Sequence, residues 1–242
     1  MQNEASILKS MKLTIPQTES VWQVPDEREL EIVVPENSEV LILEYNKNNG
    51  DYKRVVRVEK NARVKYLDLQ VGEGVAEKNV STTIELMGEG AQVDLLGLFA
   101  GQGNDNFKIS HTVIHAAPRT TSRLVSKGIL TGSSFAHQIS RIEILPKQNG
   151  CSGDERSDTI LLSDNARVIA VPELEISNND VQCKHAVTTT RLNKEKLFYL
   201  ASRGLDETTS RALLVEAHIS SILEQVPEKF FSSLNLDLSN FK

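Results

Sequence analysis

The chain has 242 residues, 39% of them hydrophobic and 25% charged, with a formal net charge of −6. That composition suits a folded protein with a sizeable apolar core, and the acidic balance argues against a nucleic-acid binder, which needs a basic face. Two cysteines cannot make a disulfide framework, no basic-then-apolar leader opens the chain, and no apolar run approaches the length of a membrane span. The expectation is a cytoplasmic protein with reduced thiols and neither membrane nor nucleic acid as partner.

Residues 1–21 form a polar lead without sustained periodicity, in which Ile7, Leu8 and Met11 could make a short helical turn at most. From 22 to 190 the sequence is built of short apolar runs separated by polar corners, as in "LEIVVPENSEVLILEY", "RVVRVEKNARVKYLDLQV", "STTIELMGEGAQVDLLGLF" and "TILLSDNARVIAVPELEI". The corners resemble one another: Asn37-Ser38-Glu39-Val40, Asn61-Ala62-Arg63-Val64, Gly90-Ala91-Gln92-Val93 and Asn165-Ala166-Arg167-Val168. The first three lie 24 to 29 residues apart, a period typical of solenoids. Asn and Gly tolerate a left-handed backbone bend best, and a coil of strands needs one such bend per repeat. A β-sandwich is the competing architecture. It would need tight hairpins, for which Asn49-Gly50 is the only good candidate, and clean alternation, which "LILEY" and "DLLGLF" break. The pattern therefore favours a β-solenoid.

From 191 to 242 the period becomes helical. "NKEKLFYLASRG" offers Asn193 as N-cap, Leu197, Phe198 and Leu200 on one face, and Gly204 at C′. A second helix follows, with Asp206 as N-cap, a stripe of Ala212, Val215, Ile219, Ile222, Leu223 and Val226, and Pro227 closing it. The terminal "FFSSLNLDLSNFK" reads equally as a short helix or an extended tail. A helical pair at this place is expected to cap the solenoid's open core.

In "DVQCKHAVTTT", strand alternation places Cys183 and His185 on one face with Val181 and Val187. The pair could be half of a metal site, an activated thiol, or ordinary packing. There is no CxxC, and the five histidines are scattered, so a zinc site cannot be assembled from this chain's motifs. Nor is there a phosphate loop or a nucleophile elbow. His115, Pro118, Thr120 and Ser122 read as coil-corner structure. A β-helix also raises polysaccharide chemistry, but one Trp and 5% aromatics make a poor sugar-stacking surface.

The segment from about Ile160 onward resembles the SufB/SufD family of iron–sulfur cluster assembly proteins. The matching strings are "ILLSDNARVIAVPELEI", "NNDVQCKHAVTTTRLNKEKLFYLASRGLDETTSRALLVEAHI" and, more weakly, "VIHAAPRTTSRLVSKGIL". The order, the spacing and the uncommon LFYLxSRG string carry the resemblance. The Cys183-x-His185 pair makes the chain SufD-like, with Ala186 and Val187 in place of the family's glycine and alanine. Glu155 stands where the family often has glutamine, and Ala166 where SufB-like chains carry a cysteine.

The resemblance implies a mainly β fold: a right-handed parallel β-helix core with a small C-terminal α-helical section. It implies a non-catalytic scaffold subunit that pairs through its β-helix with a SufB-like subunit or a second copy of itself. Its C-terminal helices would dock a SufC-like ABC-type ATPase. His185, with Cys183 beside it, becomes the cluster or iron contact at the paired interface; a transient iron–sulfur cluster or iron would be shared with the partner and none held stably by this chain alone. Phe198, Tyr199, Arg203 and Gly204 are expected to hold the helices against the end of the β-helix, with the neighbouring surface offered to the ATPase. The alternatives are a β-helical enzyme acting on a polysaccharide and a homodimeric family member without cluster chemistry.

Overall fold

The computed structural model describes residues 11–16, 20–46, 48–192, 194–230 and 241. The first strands are β1 (Met11–Thr14), β2 (Val21–Gln23), β3 (Glu29–Val34), β4 (Glu39–Tyr45), β5 (Gly50–Val58), β6 (Arg63–Val71) and β7 (Glu77–Leu86). They are followed by β8 (Gln92–Gly101), β9 (Asn106–His115), β10 (Thr121–Leu130), β11 (Phe135–Ile144), β12 (Cys151–Leu161), β13 (Arg167–Ile176) and β14 (Val181–Arg191). Two helices close the described chain, α1 (Lys194–Ser202) and α2 (Glu207–Leu223). The odd strands form one seven-stranded sheet in chain order and the even strands form the other. Pairing is parallel throughout the described residues, each strand registering with the strand two places on. Chain direction thus switches sheet at every corner, which is the winding of a parallel β-solenoid. Gly50, at φ 122, begins β5 instead of turning a hairpin.

One edge of the coil is a ladder of left-handed residues. Asn37, Asn61, Gly90, Arg119 and Gly150 have φ of 58, 55, 73, 55 and 70. Their backbone N–H groups donate to the carbonyls of Lys60, Glu89, Pro118, Asn149 and Asp180, each one coil further on. Asn61 also donates its side-chain amide to Asn37 at 3.2 Å. A Cβ on Gly90 would lie 2.7 Å from the Asn61 side-chain oxygen, so the third corner needs glycine for space as well as for φ. The fourth corner is different. Arg167 registers with Phe135 and Asn106, which places Asn165 on the opposite edge, above Gly74, Gly103 and Gly132. Asn165 is not among the left-handed residues. Its likeness to the other three strings is local and carries no common position in the coil.

The interior holds Ile32, Ile42, Val56, Val64, Ile84, Val113 and Ile142, all buried. A second apolar layer lies outside the even sheet. Leu43, Leu67, Leu69, Leu96, Leu98, Ala100 and Ile129 pack there against Val215, Ile219, Ile222 and Val226 of α2 and its end. This accounts for the unbroken apolar runs: alternate residues of "LILEY" and "DLLGLF" face the lumen and the helix, and both faces are dry. Burial contributes roughly 1.5–3 kcal/mol for each such side chain. Accordingly α2 covers the flank of the solenoid and does not cap its end. Its N-cap is the expected one, Asp206 accepting from Thr209 N–H at 2.9 Å. His218 reaches the Gly128 carbonyl at 3.2 Å and Lys65 donates to Gln225 at 2.7 Å, fixing the helix to β10 and β6.

Met11 belongs to a strand paired with β3, not to a helical turn. Ile7, Leu8, Asn193 and residues 231–240 and 242 lie outside the described residues. Phe241 is buried in the layer beneath α2. No helix among the described residues is long and apolar enough to cross a membrane.

Candidate functional site

Among the described residues β14 is the last strand of the even sheet and pairs on one side only, with β12. The register sets Cys183 beside Gly153, His185 beside Glu155 and Val187 beside Ser157. Gly153, Glu155 and Ser157 are buried lumen residues, so the face shared by Val181, Cys183, His185 and Val187 continues the lumen to its open end. β13 ends the other sheet in the same way. Exposed apolar side chains gather on this last coil, with Ile169 at 51%, Ile176 at 41% and Val187 at 38% exposure.

Cys183 is half-buried and packs over Gly153, where an added Cβ would meet Ile142 at 3.0 Å and the Cys183 sulfur at 3.4 Å. Burial pushes its thiol above the ordinary range, and the neighbouring Cys151 adds to the effect. A raised thiol pKa disfavours thiolate, so the activated-thiol reading is not what this environment supports. Cys151 is itself buried, within 3.2 Å of the Thr120 hydroxyl.

His185 is exposed at the mouth of the lumen. Below it, Glu155 is 1% exposed. Its Oε1 accepts from the Ser157 hydroxyl at 2.6 Å, and Gln138 donates to Ser157 at 3.1 Å and to Ser140 at 3.2 Å. Burial raises the Glu155 carboxyl, partly offset by the Ser157 hydrogen bond and by the charge of His185. The Ser140 hydroxyl and the Ala186 N–H also act as hydrogen-bonding neighbours of the carboxylate and favour its ionised form. Among the described residues no three His, Cys, Asp or Glu side chains gather as a metal site would require. Ala166 is buried in an apolar cluster with Phe99 and Phe107.

Deeper in the lumen lies a polar column that alternation alone does not reveal. Arg54 is fully buried and meets Glu44 at 3.0 Å; Tyr66 also donates to Glu44, and His111 faces Asp68 at 2.7 Å. Burial and the nearby Asp68 raise the Glu44 carboxyl, with Arg54 opposing them. His115 is held by Thr120 at 2.7 Å and Ser122 at 2.9 Å, in agreement with a corner role.

The helical candidates sit elsewhere. Phe198 is 77% exposed and Tyr199 56% exposed. So exposed, they do not hold the helices against the solenoid end; the half-buried apolar residues beside them on α1 are Leu197 and Leu200. The Arg203 guanidinium lies 5.3 Å from the Tyr199 ring centre, and Gly204, at φ 88, ends the helix at the C′ position. Leu197, Phe198, Ala201 and Glu207 line an open, mostly apolar groove of about 310 Å³.

The chain is similar to proteins named as iron–sulfur cluster assembly SufBD family members. One from Synechocystis sp. is 24% identical over 179 residues, 74% of this chain and 37% of that protein. One from Mycobacterium leprae is 28% identical over 193 residues, 74% of this chain and 49% of its own length. One from Staphylococcus saprophyticus is 27% identical, covering 77% of this chain and 40% of the relative. The chain thus spans less than half the length of these relatives. A family model described as "SUF system FeS cluster assembly, SufBD core domain" matches residues 25–218. That match takes in the solenoid from β3 onward together with α1 and most of α2, and on it the chain belongs to the SufBD core family.

Proposed function

We propose that this chain is a non-catalytic, SufD-like scaffold subunit in iron–sulfur cluster assembly. It pairs through the open end of its solenoid with a SufB-like subunit or a second copy, and docks an ABC-type ATPase on its C-terminal helices. The observation that carries the reading is the placement of His185: an exposed imidazole at the mouth of the lumen, on a strand whose outer edge is unpaired among the described residues. Such an edge accepts another strand, and the exposed Ile169, Ile176 and Val187 around it suit a covered interface. The nascent cluster is cargo held between subunits, which fits a chain offering few ligands of its own. Imidazole is a suitable ligand for iron, and the half-buried Cys183 serves as its packing neighbour.

The ATPase is placed on α1 because Phe198 and Tyr199 are large, apolar and turned to solvent beside a groove. Aromatic anchors of that kind dominate protein interfaces. The SufBD match stands against the polysaccharide-acting alternative. The test is co-purification with a SufC-like ATPase. Phe198→Ala with Tyr199→Ala is expected to cost at least about 2 kcal/mol of binding and so to lose the ATPase from the complex, with an unchanged unfolding temperature. Retention of the ATPase by the double variant would remove this dock.

A further inference from the structure

Resting on the scaffold reading above, we infer that Pro172 bars strand addition at the free edge of β13, so that a second copy of this chain pairs backbone to backbone on β14 alone. Among the described residues each sheet ends on the last coil in one free edge, β13 for the odd sheet and β14 for the even. Successive backbone N–H groups of a strand point to opposite sides, so one fixed hydrogen bond sets the direction of all the others. On β13 the Arg167 N–H donates inward to Ser134, and just past the strand the Ser177 N–H donates inward to Ile144. Alternation therefore turns the N–H groups of Val168, Ala170, Leu174 and Ile176 to the free edge. Pro172 stands in the middle of that row with no N–H to offer, and its ring fills the place of the missing hydrogen. On β14 the row is unbroken. The Asp180 carbonyl faces β12, where it accepts from Gly150, so the N–H groups of Val181, Cys183, His185, Val187, Thr189 and Arg191 all point outward.

A second copy suits this arrangement. Two identical edges that meet by a two-fold must run antiparallel. A two-fold centred on Ala186 sets His185 opposite Val187 and Lys184 opposite Thr188, so the outward backbone groups of the two copies face each other and no like charges meet. Half-exposed Val187 and Ile176 are apolar residues that such end-to-end pairing covers. The same two-fold lies along the sheet normal, so it sets β13 against its own copy as well. There Pro172, level with Ser140 on the neighbouring strand, interrupts the ladder at mid-strand. A proline on an exposed edge is a known means of refusing a further strand. One seam of the pair is hydrogen-bonded and the other is held by side chains only.

Hydrogen exchange of the full chain, read by mass spectrometry below and above the concentration at which sedimentation shows a dimer, tests the assignment. Peptides from β14 are expected to slow by about tenfold or more on association, while those from β13 keep their monomer rates. Pro172→Ala supplies the missing donor once in each copy; it is expected to protect β13 too and to tighten the dimer by about tenfold. Val187→Pro places the same obstacle on β14 and is expected to abolish the dimer with the strand signal in circular dichroism retained. Should Pro172→Ala fail to fold, the wild-type exchange pattern decides alone. Equal protection of β13 and β14 in the wild-type dimer would overturn the inference, as would unchanged β13 exchange in a folded Pro172→Ala dimer. A wild-type chain that stays monomeric overturns it too, and a complex of that monomer with a SufB-like subunit leaves the scaffold reading standing. The expected exchange pattern in a dimer that recruits no SufC-like ATPase removes the scaffold reading and leaves the edge assignment.

Discussion

At the residue scale the lumen is unusual in what it buries. Arg54, Glu44, Asp68, Lys78, His111 and Glu155 are all shielded from solvent inside a coil whose walls are otherwise aliphatic. Each has partners, and Arg54 with Glu44 and His111 with Asp68 join strands through side chains as the ladders join them through the backbone. His115 gives the clearest measurable consequence. Burial pushes its imidazole down to about 4, while an unfolded histidine titrates near 6.5. Above that range neither state is protonated and the residue adds no pH dependence. As pH falls toward 4 the unfolded chain takes a proton that the folded chain refuses, so stability declines, by at most roughly 3 kcal/mol. Chemical denaturation near pH 7 and near pH 5 should show a larger loss in the wild type than in His115→Asn. Equal losses would mean that His115 titrates normally in the fold.

Elements show how far the sequence could be followed. The corner strings Asn37, Asn61 and Gly90 were readable because a left-handed bend restricts residue type, and all three adopt it. Asn165 misleads for the same reason: its neighbours copy the string, but only register reveals that it sits on the other edge. The buried charges were also invisible. A period of two sets Glu44 on the face of Val40 and Ile42 and Asp68 on that of Val64 and Tyr66, but nothing local says that the lumen contains Arg54 and His111 to meet these charges. The stripe on α2 was legible from its spacing, whereas its resting place was not, since the outer aliphatic residues of four strands are brought together only by coiling. That packing predicts a large penalty for Ile219→Ala, roughly 2–5 kcal/mol in equilibrium unfolding, because Ile219 is fully buried between helix and sheet. A loss below about 1 kcal/mol would place the helix elsewhere. By contrast, Phe198 and Tyr199 were picked out by family resemblance. Their exposure gives them a surface role in place of the clamp that the sequence suggested.

The whole molecule presents three distinct surfaces. One flank is closed by α2, α1 carries an exposed aromatic pair, and among the described residues the last coil ends in two unpaired strand edges with His185 between lumen and solvent. The scaffold proposed above would use this separation, with one face for a motor subunit, another for a partner, and a point where cargo is held between chains. The site at the mouth was legible in the sequence as far as Cys183 and His185. Glu155 was legible only as an unusual residue, because its relation to His185 depends on parallel register across a gap of thirty residues. The most direct test of the account is cluster formation in a complex reconstituted without oxygen from this chain, a SufB-like subunit and a SufC-like ATPase. His185→Ala is predicted to leave the complex assembled and to lower the yield of cluster, read from its visible absorbance, by about tenfold or more. An assembled complex that makes wild-type amounts of cluster without the imidazole would contradict it.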